Sequence, residues 1–139
     1  MGNSLLTYRQ SSMWLHDSKA TIVAYFLLEY IKSENYDSQL EPIKEELVEQ
    51  LETDLKGYFS GSIDLGLSLI QEKSLQVAFS KALEKIKSHL TNLGPLLAEE
   101  KVLEIRRLNE NYRTDDINQA IPTLEVIEWV EKIQVLVKN

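Results

Sequence analysis

An all-α fold, a single-domain bundle of five to six helices with short connections, follows from three observations in this 139-residue chain. Only five Gly and three Pro are present, so the punctuation of a many-turned β protein is missing. Leu, Glu and Lys, which favour helices, are abundant. Apolar residues recur at steps of three and four along most of the sequence. The length suits one domain over residues 1–139.

The elements follow in order. Residues 1–16, with Leu5, Leu6, Tyr8, Met13 and Trp14, read as a short helix or a packed N-terminal arm. Asp17 or Ser18 can cap a first helix to about Glu34. Its apolar residues, from Ala20 to Ile31, run almost all round, which predicts a central, covered helix. Pro42 suits the first turn of a second helix. There Ile43, Leu47, Leu51 and Leu55 form a narrow apolar stripe, with Gly57 and Gly61 ending it. The stretch from Ile63 to Leu69 fits either strand or helix, and helix is preferred because no second alternating run exists to pair with it.

Leu75, Phe79, Ala82, Leu83, Ile86 and Leu90 make the cleanest helical stripe. Gly94-Pro95 ends that helix, and Ala98, Val102, Ile105, Leu108 and Tyr112 predict the next. Pro122 opens the last, with Leu124, Ile127, Val130, Ile133 and Val137 inside.

Charge placement is the informative feature. Glu34, Asp37, Glu41, Glu45, Glu46, Glu49, Glu52 and Asp54 face a single base, Lys44, so this stretch carries the whole net charge of −7. On a helix Glu41, Glu45, Glu49 and Glu52 would form a ridge roughly 16 Å long. Like charges at this spacing repel by a few tenths of a kcal/mol per pair. A basic partner would relieve the repulsion, and complementary charge speeds encounter and helps select that partner. Tyr36 and Tyr58 flank the ridge, and Tyr is enriched in binding hot spots. The expected partner-binding residues are therefore Asp37, Glu41, Glu45, Glu49, Glu52, Tyr36 and Tyr58. The bland alternative is a solvated face that only keeps the protein in solution.

Other chemistry finds little support. The chain has no Cys, which excludes disulfides and thiolate sites. His16 and His89 are the only histidines and belong to no zinc or di-iron motif. Phosphate-loop, dinucleotide and nucleophile-elbow sequences are all missing. No catalytic residue, metal site or cofactor is expected. Lys81, Lys85 and Lys87 make one modest basic patch, and Arg106, Arg107 and Arg113 another. Acidic residues interrupt both, and the overall balance is acidic, so nucleic-acid binding is not expected. The longest nearly apolar run, Ala20 to Leu28, is too short to span a bilayer. No membrane role and a cytoplasmic location are expected.

These features predict a non-enzymatic protein-binding module whose acidic helix face meets a basic partner, with an inhibitor or immunity-type protein for a toxin as one concrete form. The alternatives are a helical scaffold or regulatory subunit that binds through an apolar groove, and an enzyme without a recognisable motif. Oligomeric state is not legible.

Overall fold

A computed structural model describes residues 2–57, 63–113 and 118–138. Five helices lie among them: α1 (Asp17–Lys32), α2 (Lys44–Lys56), α3 (Lys73–Asn92), α4 (Glu99–Arg106) and α5 (Thr123–Val137). Among the described residues helix, 3-10 turns included, accounts for 63% and strand for 12%, so the helical fold class holds. The strands form two small antiparallel hairpins, β1 (Asn3–Tyr8) with β2 (Ser11–His16) and β3 (Leu96–Leu97) with β4 (Ile121–Pro122).

The nearly all-round apolar character of α1 has the expected result. Ala20, Ile22, Val23, Ala24, Phe26, Leu27 and Ile31 are all buried, and α2, α3, α4 and α5 each pack against this helix. Burying a Leu, Ile or Phe side chain contributes about 1.5–3 kcal/mol, so α1 anchors the core. The α3 stripe of Phe79, Leu83 and Ile86 meets α5, where Val126, Val130 and Ile133 are buried. Thr123 ties the start of α5 to the end of α3 through Gly94 O at 2.7 Å and Pro95 O at 3.0 Å.

Pro42 lies in a 3-10 turn, Ser38–Ile43, that leads into α2. Asp37 caps this turn by accepting the Gln39 N–H at 2.9 Å. The helix ends at Gly57, whose φ of 72° is left-handed. A Cβ there would lie 2.4 Å from the end of the Asn109 side chain, which would have to move, and the left-handed conformation itself favours glycine. Gly61 and Tyr58 lie outside the described residues.

On α5 the inward stripe runs through Val126 and Trp129, and Leu124, expected inside, is 73% exposed. Three further stretches differ from the periodicity in their secondary structure. The first is residues 3–16, which pair as an antiparallel hairpin that packs on the body as an arm rather than a helix. Ser4, Leu6 and Tyr8 face inward and Asn3, Leu5 and Thr7 outward. Burial alternates with period two, but the adjacent apolar pair Leu5-Leu6 hides that in the sequence. Tyr8 then fixes the arm by donating to Ile70 O at 2.8 Å.

The second is residues 63–70, where the preferred helix does not form. A single 3-10 turn, Leu67–Leu69, follows a bend at Leu65 and Gly66, with φ of 57° and 81°. Successive left-handed residues cannot continue a helix. Ile63, Leu65, Leu67 and Ile70 are nonetheless buried, so the apolar pattern reported burial and not helix.

The third is α4, which stops at Arg106, short of Leu108 and Tyr112. Asn109 accepts the Asn111 N–H at 2.8 Å, a local turn that competes with helix. Glu110 N–H goes instead to Lys56 O, at 3.0 Å, tying this turn to the end of α2.

Candidate functional site

Helix α2 builds the acidic face. Leu47, Leu51, Asp54 and Leu55 turn into the core. At 3.6 residues per turn, Glu45, Glu49, Glu52 and Lys56 then fall on the opposite side. Glu45, Glu46 and Glu49 are exposed, and among the described residues no Lys or Arg lies within ion-pair distance of any of them. Glu45 and Glu46 occupy the first turn, where the helix dipole favours negative charge. The Glu45–Glu49 pair therefore retains its repulsion.

The far end of this face is different. Glu52 is half-buried and meets Lys32 of α1 at 3.7 Å. Lys56, in the last turn, adds a positive charge one step beyond. The sequence pattern counted Lys44 as the sole base of the acidic stretch, but the fold places Lys32 and Lys56 at its C-terminal end.

Glu41 stands apart from the ridge, because it lies in the 3-10 turn before α2. It accepts the Tyr36 hydroxyl hydrogen. Lys44 sits over the Tyr36 ring at 4.3 Å, a contact worth about 0.5–1 kcal/mol at an exposed position. Tyr36 is partly buried against the core. Of the seven residues expected to bind a partner, Glu45, Glu49 and Glu52 share one helix face. Tyr36 and Glu41 form a neighbouring cluster, Asp37 serves as a cap, and Tyr58 falls outside the described residues.

Asp54, one of the eight acids, turns the other way. It is 3% exposed and accepts hydrogen bonds from Leu65 N–H at 2.9 Å, Gln50 Nε2 at 2.9 Å and Asp64 N–H at 3.3 Å. Burial pushes its carboxyl up to about 6, against the opposing pull of these donors. A signal was available: Asp54 lies three residues after Leu51, on the apolar stripe.

A cleft of about 410 Å³ opens beside Asp54, bounded by the start of α1, the end of α2 and the stretch after α4. Asp17, Ser18, Arg106, Tyr112 and Arg113 also line it. Asp17 accepts the Ser4 hydroxyl at 2.6 Å, and Arg106 donates to Ser18 O at 3.2 Å. His16 caps α1 by accepting Ser18 N–H at its Nδ1, 3.2 Å away, and Ser18 Oγ lies 2.7 Å from the same nitrogen. These bonds join the hairpin, α1 and α4, so the polar groups act as structural ties.

Lys87 and Lys101 also serve internal links. Lys87 pairs with Glu84 at 3.0 Å and with Glu131 of α5 at 3.6 Å. Lys101 and the Tyr25 hydroxyl both reach Glu104, at 3.2 and 2.6 Å. Burial, then the Glu104 and Glu29 carboxylates, push the Tyr25 phenol above its ordinary range. Among the described residues no group of three or more potential ligands could hold a metal ion, and no helix is long and apolar enough to cross a membrane.

No family model, curated protein or solved structure matches this chain.

Proposed function

We propose that this protein is a non-enzymatic binding module that docks the outward face of α2 on a basic surface of another protein. The supporting observation is the set of exposed carboxylates of Glu45, Glu46 and Glu49, none within ion-pair distance of a Lys or Arg among the described residues. Three negative charges held on one rigid helix repel one another, and a cationic partner would convert that cost into attraction. An inhibitor of immunity type, whose carboxylates fill a toxin's phosphate-binding site, is one concrete form.

The reading is tested by capture from an extract of the native host. A partner should be retained at about 50 mM salt and released at about 500 mM, where screening shortens to a few ångströms. The Glu45→Lys/Glu49→Lys variant should lose it with helicity unchanged. Glu52 is left intact because it pairs with Lys32. A partner held equally by wild type and variant, or held more firmly in high salt, would defeat the reading.

A further inference from the structure

The β1–β2 hairpin carries an open strand edge. Its two-residue loop closes on the Tyr8↔Ser11 pair, which in such a hairpin exchanges both backbone hydrogen bonds. Bonded pairs then alternate, so Leu6↔Met13 and Ser4↔Leu15 are bonded, while Thr7↔Ser12 and Leu5↔Trp14 are not. Asp17 N–H, donating to Gly2 O at 3.0 Å, continues the alternation. On β2 the outward backbone groups therefore belong to Ser12 and Trp14. Among the described residues neither takes part in a backbone hydrogen bond outside its own hairpin.

The same positions point away from the core. Trp14 is 67% exposed and Leu5, directly opposite it, 43%. Side chains of a non-bonded pair stand closest together, so Leu5 and Trp14 form one apolar patch beside the open edge. Proteins commonly block such edges with Lys, Pro or a bulge. Ser11–His16 contains neither residue and pairs without interruption.

Charge argues for the occupant. Residues 2–16 contain no Asp or Glu, and Arg9 is their single fixed charge. Two copies of a chain of net charge −7 repel, and this hairpin adds no carboxylate of its own to that repulsion. A strand meeting its own copy across a two-fold axis pairs antiparallel, and such a surface complements itself. A two-stranded sheet is marginal alone, whereas four strands with an apolar face support one another.

We infer that β2 is a self-association edge. Two copies join β2 to β2 in one four-stranded antiparallel sheet, and Trp14 of each becomes covered.

The test is molar mass in solution by light scattering over about 1–500 µM, which brackets micromolar dissociation constants. The wild-type chain should move to dimer mass with rising concentration, and more readily at about 0.5 M salt, where repulsion is screened. This response is opposite in sign to that of the α2 docking reaction, so each can fail without the other. Ser12→Pro removes one outward N–H without breaking a ladder bond. Trp14→Lys brings like charges near the axis. Each should weaken dimerisation by about tenfold or more, or roughly 1.4 kcal/mol, with helical circular dichroism unchanged. A wild-type chain still monomeric at the highest concentration and salt would overturn the inference, as would a dimer undiminished in both variants. In the first of these cases an added strand from another protein would be the remaining use of the edge.

Discussion

The two halves of α2 use the same chemical group in opposite ways. Near its start, Glu45, Glu46 and Glu49 hold carboxylates in water with no internal cation within ion-pair distance among the described residues. Near its end, Asp54 buries its carboxylate and takes three hydrogen bonds, while Glu52 leans on Lys32. Charge that stays in water costs little and remains free to meet a partner. Charge taken from water must be matched at once, and a neighbouring loop does the matching. Net charge alone, which counts all eight acids alike, conceals this division.

The largest expected effect tests the frame that both halves share. Leu51, fully buried on the inner stripe, should cost about 2–5 kcal/mol on change to Ala through lost burial and a residual cavity. Chemical denaturation measures this, and a loss below 1 kcal/mol would show that α2 is not seated as described.

The second test addresses the buried half. With its carboxyl raised from 3.8 to about 6, folded Asp54 holds its proton more firmly than the unfolded chain does. Between roughly pH 4 and 6 the folded state binds the extra proton, so this group's contribution falls as pH rises through that window. Relative to Asp54→Asn, the wild-type chain should gain on the order of 2–3 kcal/mol between pH 7 and pH 4. A difference that stays flat would mean that the hydrogen bonds cancel burial, and one that changes in the other direction that they outweigh it.

The smallest effect belongs to the exposed half. Glu45→Lys/Glu49→Lys exchanges two repelling acids for two repelling bases and sets one of them in the first turn of α2, so stability should fall by no more than about 1 kcal/mol. The same variant is expected to abolish partner capture. A large stability loss would sharpen the comparison differently, by showing that the outward carboxylates have internal partners after all.

Much of the helical frame was legible in the sequence. The all-round apolar run of α1 and the stripe of α3 each state a local rule, and tertiary packing obeys it; Pro42, expected in the first turn of α2, falls instead in the 3-10 turn that precedes it. The hairpin was illegible for physical reasons. Its turn, Arg9-Gln10, lacks the Gly or Asn that marks most two-residue loops, although Arg9 takes a positive φ of 55°. Its exposed Trp14 and Leu5 reverse the expected relation between apolarity and burial. The acidic ridge was legible as a charge pattern, but its partial closure by Lys32 was not, because that contact joins residues twenty positions apart. Asp54 was readable only by trusting spacing over polarity.

The loop that Asp54 holds has a further consequence. Leu65 N–H, in neither helix nor ladder, is secured by a side chain of α2. Segments bound in this way open together with the element that binds them. The cooperative unit containing α2 thus takes in Asp64 and Leu65, whose N–H groups this one carboxylate holds, whereas Ile63 N–H is tied to β1 through Ser4 Oγ at 3.4 Å.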